Sequence, residues 1–129
     1  MKQLITLSLA TGLLLSASAY AEEKYDHFPS LEAPDVATAL CNIQTYNEKL
    51  AALTSAENID TASMVKIHEL TYTLENALAR LKTTIAETAQ ALEEVHLASE
   101  SIKADVIKKS AKTYFSGTEA LLAKHHCQQ

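Results

Sequence analysis

Residues 61–102 read TASMVKIHELTYTLENALARLKTTIAETAQALEEVHLASESI, and their spacing decides the fold. Ile67, Leu74, Leu81, Thr88, Val95 and Ile102 recur every seven residues, flanked by Leu70, Leu78, Ile85 and Leu92. A repeat of this kind whose phase never breaks lays its members along one side of an α-helix. The stretch is also rich in Ala, Leu, Glu and Lys, so local propensity agrees with the periodicity.

Outward from this segment the chain stays free of the strong breakers, since residues 35–116 contain neither Gly nor Pro. Few β proteins could be built that way. Upstream, Val36, Leu40, Ile43, Asn47 and Leu50 alternate steps of four and three, which predicts a first helix beginning near Pro34. Thr54 to Asn58 breaks that pattern, and Asp60 is a fitting N-cap for the helix that follows. Downstream, a last helix is expected from about Lys103, with Ile107, Ala111, Tyr114, Thr118, Leu121 and His125 inward and Gly117 as a weak point.

The expected fold class is therefore all-α, in one of two architectures. In the first, residues 61 to about 100 form one helix of about 60 Å, with two shorter helices packed along it in a three-helix arrangement. In the alternative, the chain turns at Lys82-Thr83-Thr84 and makes an up-down four-helix bundle. Helix-helix turns favour Gly or Asn, and neither stands there, so the unbroken phase favours the long central helix.

The start of the chain reads as a secretory signal. Met1-Lys2 is a cationic end, Leu4 to Leu15 an apolar run, and Ala19-Tyr20-Ala21 a small-residue cleavage site. The run contains Thr6, Ser8, Thr11 and Gly12 and falls short of the roughly 20 residues that a membrane-spanning helix needs. The expected organisation is a signal at 1–21, an extended arm at 22–33 pinned by Tyr25 and Phe28, and a single helical domain at 34–129. The expected location is the periplasm or the cell exterior, with no membrane insertion after cleavage.

Loss of the signal removes one Lys and moves the formal charge from −5 to −6. An acidic chain repels phosphate backbones, which argues against nucleic acid as a partner.

Cys41 and Cys127 are the only cysteines. In an oxidising compartment a disulfide between them is the default reading. The alternative is a soft-metal site with His125 and His126, which no C-x-x-C spacing supports. A C-x-x-C-H haem attachment is absent, so a c-type cytochrome is excluded.

The densest chemistry lies around His68 and His96. On a helix, His68, Tyr72 and Glu75 share one face, and Glu93, His96 and Glu100 share another. Glu93-x-x-His96 is the spacing by which bundles offer a carboxylate and an imidazole to one metal, but a second such pair is missing. His68, His96, Glu75, Glu93 and Glu100 are thus the candidate ligands for a transition metal or haem b, if the two histidines meet. They are equidistant from residue 82, so a hairpin there, or an antiparallel pair of long helices, would bring them together. On one unbroken helix they stand about 42 Å apart. The competing reading is that each bonds to neighbouring Glu or Tyr side chains, with no cofactor.

Catalytic motifs are missing. There is no nucleophile elbow, no Gly-rich phosphate loop and no H-E-x-x-H. The expected function is accordingly a non-enzymatic binding role toward an unknown protein partner or in a homodimer, with the heptad stripe as the contact. A cofactor-binding protein is the alternative.

Asp26-His27-Phe28, Thr45 to Leu50 (TYNEKL), His68 to Leu78 (HELTYTLENAL) and Leu92 to Glu100 (LEEVHLASE) resemble a family of small exported bacterial proteins classed as a domain of unknown function. The resemblance spans nearly all of the chain after the signal. It implies a periplasmic helical protein and supplies no activity.

Overall fold

The computed structural model describes residues 30–127, which form three helices: α1 (Val36–Thr54), α2 (Thr61–Glu100) and α3 (Ala104–Leu122). The expected signal, and the arm as far as Pro29 with Tyr25 and Phe28, lie outside the described residues. The long central helix is present and runs unbroken through Lys82-Thr83-Thr84, so the four-helix alternative is not the fold.

The starts of α1 and α2 are fixed by side-chain caps. The Asp35 carboxylate accepts the Thr38 N–H at 2.7 Å, and the Asp60 carboxylate accepts the Ser63 N–H at 2.8 Å. These bonds satisfy orphan donors of the first turns and hold both carboxyls below the usual carboxylate range. Because Asp35 is the cap, Pro34 lies just before the helix rather than in its first turn.

The other end of α2 closes in a Schellman turn: Lys103 N–H donates to Ala98 O at 2.9 Å, and Ile102 N–H to Ser99 O at 3.4 Å. That turn needs a left-handed residue, usually Gly, and here Ile102 occupies it with φ of 54°. Ile102 therefore does not continue the heptad stripe. It sits beyond the helix, 90 % exposed, at the tip of the α2–α3 hairpin.

Both short helices fold back along α2 and barely touch each other. Residues 30–33 lie beside 73–80, so α1 runs back along the N-terminal half of α2. α3 runs back along the C-terminal half, where Ser110 Oγ donates to Glu94 at 2.8 Å and Gly117 meets Thr88. The molecule is two helical hairpins that share one long helix and meet near its middle.

The core is thin and built from small side chains. Ala33, Ala39 and Ala77 form its buried cluster, with Ile43 and Leu81 packed against them. Val36, Leu70, Leu74, Ala91 and Ala98 are also buried. On α1 the inward face is centred on Ala39 and Asn42, while Asn47, expected on the inner stripe, is exposed.

Residues 30–33 are irregular, and polar side chains satisfy their backbone. Leu31 N–H donates to Thr73 Oγ1 at 3.0 Å, Asn76 donates to Leu31 O at 3.2 Å, Asn42 to Glu32 O at 3.2 Å, and Arg80 Nε to Ala33 O at 2.9 Å. This explains why Asn42 and Thr73 are buried in so small a core.

Candidate interaction surface on the central helix

Ile67, Leu74, Leu81, Thr88 and Val95 face α1 or α3 and are buried or half-buried. Their flanking residues divide. Leu70 is buried, but Leu78, Ile85 and Leu92 are 57 %, 54 % and 48 % exposed. These three also recur every seven residues, so they form a second seam along α2, next to the first and uncovered. Met64 stands two repeats before Leu78 and is exposed as well. The apolar arc of α2 is wider than α1 and α3 can cover.

Isolated exposed apolar residues are ordinary, whereas an aligned row of them is not. Here the row is set on a helix whose buried residues are largely Ala and Thr, so large apolar side chains are spent outside the core. Leu97, Ile102 and Val106 around the hairpin tip, and Phe115 and Leu122 on α3, are exposed too.

The histidines lie on the outer surface of the same helix. His68 Nε2 meets the Tyr72 hydroxyl at 3.1 Å with the rings edge to face, and His96 Nε2 lies 3.5 Å from Glu100. Both contacts are local, spanning one helical turn. Twenty-eight residues of continuous helix hold the two rings about 42 Å apart. Within one chain they do not meet, and Glu75 and Glu93 are exposed at separate levels. Among the described residues, no group of three His, Cys, Asp or Glu side chains could hold a metal ion.

Cys41 and Cys127 are joined in a disulfide that bridges 86 residues and ties α1 to the segment after α3. His125, expected on the inner face of α3, lies past its end, with a ring nitrogen 3.2 Å from Ala120 O.

An open groove of about 500 Å³ lies where the hairpins meet, lined by Asp35, Arg80, Glu87, Lys112 and neighbours. Its charges alternate in sign. Among the described residues, no buried side-chain polar atom lacks a partner.

With this geometry in place, comparison of the sequence is informative: it matches the model of a family of unknown function, DUF6746, over residues 1–123. The chain belongs to that family. Comparison with curated proteins and with solved structures finds no match. Membership in this family transfers no activity. No helix among the described residues is long and apolar enough to cross a membrane.

Heptad spacing names Leu78, Ile85 and Leu92 only as flanks of the stripe expected to be the contact; α1 and α3 cover that stripe, so the flanks are what is left exposed. Their exposure could have been suspected from the count of apolar positions on α2 set against two short partner helices.

Proposed function

We propose that this is an exported protein of the periplasm or cell exterior which acts without catalysis, by binding another protein chain along the exposed seam of α2. The observation that carries the reading is the alignment of Leu78, Ile85 and Leu92 at heptad spacing, uncovered, on a rigid helix of 40 residues. Such a seam is the half of a coiled coil that awaits its partner helix. Support for export comes from the tripartite N-terminus at residues 1–21, and a Cys41–Cys127 disulfide is compatible with an oxidising compartment.

The test is a photo-crosslinking residue placed at Ile85 in cells, compared with the same residue at exposed Gln90. Cell fractionation and the mass of the mature chain are read in parallel. The expected result is an adduct from position 85 in the exported fraction, on a chain that begins at Glu22. Equal yields at the two positions, or an uncleaved cytoplasmic chain, would overturn the reading.

A further inference from the structure

We infer that the occupant of the seam is a second copy of this chain, laid antiparallel with the two-fold axis near Ile85. This rests on the reading of the seam as a binding surface, and names its partner.

Three observations carry it. The seam is symmetric about its centre: Leu78 and Leu92 lie seven residues to either side of Ile85. An antiparallel two-fold through Ile85 therefore stacks Ile on Ile and Leu on Leu, so one sequence supplies both halves of the contact.

Charge sets the direction. The stretch from Lys103 to Lys124 carries five Lys (103, 108, 109, 112 and 124) against Asp105 and Glu119, a net of +3. Helix α1 and its following turn, 36–60, carry Glu48, Glu57 and Asp60 against Lys49, a net of −2. Antiparallel pairing sets the basic end of one protomer alongside the acidic end of its partner. Parallel pairing would oppose like with like.

Area fits a weak dimer. α2 ends at Glu100, which a two-fold at Ile85 sets opposite Leu70, so the paired stretch 70–100 runs about 45 Å, and a strip about 10 Å wide gives about 450 Å² per protomer before side-chain relief. Two such strips give about 900 Å², in the range of transient interfaces.

The register has a chemical corollary. Residue 96 lies opposite residue 74 of the second copy, so the two histidines miss each other by six residues, about 9 Å along the axis. The dimer assembles without a metal.

Sedimentation of the mature, disulfide-bonded chain, with and without EDTA, tests the proposal together with single-cysteine variants at the seam. The expected result is a reversible dimer with Kd of about 1–100 µM, unaffected by EDTA. Ile85→Glu weakens it at least tenfold while the circular dichroism stays helical. Leu78→Cys and Leu92→Cys chains crosslink when mixed, and neither crosslinks to itself.

A chain that stays monomeric at about 0.5 mM, some fivefold above the weakest expected Kd, would overturn the inference. So would a seam that dimerises only after residues 22–29 are deleted, which would assign it to the chain's own arm. Self-crosslinking of Leu78→Cys would overturn the direction, and dissociation by EDTA would overturn the register in favour of one centred on Lys82. An Ile85 photo-adduct whose mass is not twice the chain would sink the second copy and leave the binding role standing. No adduct at all would sink both.

Discussion

Gly117 of α3 stands so close to Thr88 of α2 that a Cβ at position 117 would collide with Thr88 Oγ1. The Thr88 hydroxyl is itself held by Thr84 O at 2.7 Å and cannot swing aside freely. Ala is the better helix former by about 1 kcal/mol, yet overpacking of this kind costs about 1–3 kcal/mol. Gly117→Ala is therefore expected to destabilise by about 1 kcal/mol, against propensity. In a double-mutant cycle by urea denaturation, Thr88→Ala should recover part of that loss. Strict additivity of the two changes would show that the helices do not touch there.

The Cys41–Cys127 bridge joins two hairpins whose short helices share almost no other contact. Closing a loop of this length restricts the unfolded chain by about 4–5 kcal/mol. Replacing both cysteines by Ser is expected to lower stability by that order. Because each hairpin keeps its own packing, the reduced chain should also lose two-state behaviour, with probes near Tyr46 and Tyr114 melting apart. Coincident transitions in the reduced protein would contradict this.

Ile102 holds a left-handed conformation that costs a residue with a Cβ about 1–2 kcal/mol, and its side chain packs against little. Ile102→Gly should raise stability by about 0.5–1 kcal/mol, after the greater freedom of Gly in the unfolded chain is set against the relieved strain. A lower melting temperature in this variant would show that the exposed Ile side chain stabilises the fold.

The carboxyls of Asp35 and Asp60 are lowered by the backbone N–H groups of Thr38 and Ser63. A folded-state value below the unfolded one favours the native state at all pH above about 3.9, and the benefit disappears as pH falls through the folded value. Thermal melts should therefore drop as pH falls below about 4. The Asp35→Asn, Asp60→Asn double variant keeps neutral caps and should flatten that drop. An unchanged acid slope would assign it to other carboxylates.

The sequence made the elements legible because their signals are local. Asp60 caps the central helix, the heptad phase carries through Lys82 without a turn residue, and α2 ends within a residue or two of its expected limit. The cysteine pairing was legible from composition alone. What covers what was not. Periodicity gives the angle of a residue on its own helix, and on α2 two adjacent apolar seams differ by less than one residue's arc. Only the lengths and positions of α1 and α3 decide which seam is shielded. The same gap moved Asn47 outward and Asn42 inward on α1, since Asn42 is needed by Glu32 O, a partner that no helical spacing reveals. The two histidines posed a question of architecture, and the unbroken helix answers it within one chain.

The shared central helix also shapes how the chain finds this structure. Each hairpin joins neighbours in sequence, through the turn at 55–60 on one side and 101–103 on the other, so most contacts form between nearby residues. Low contact order of this kind permits collapse on the microsecond to millisecond scale. Disulfide formation takes seconds to hours, so the oxidation that links residue 41 to residue 127 is expected to follow the formation of the two hairpins. Oxidation of the two thiols would then select no topology; it would lock one.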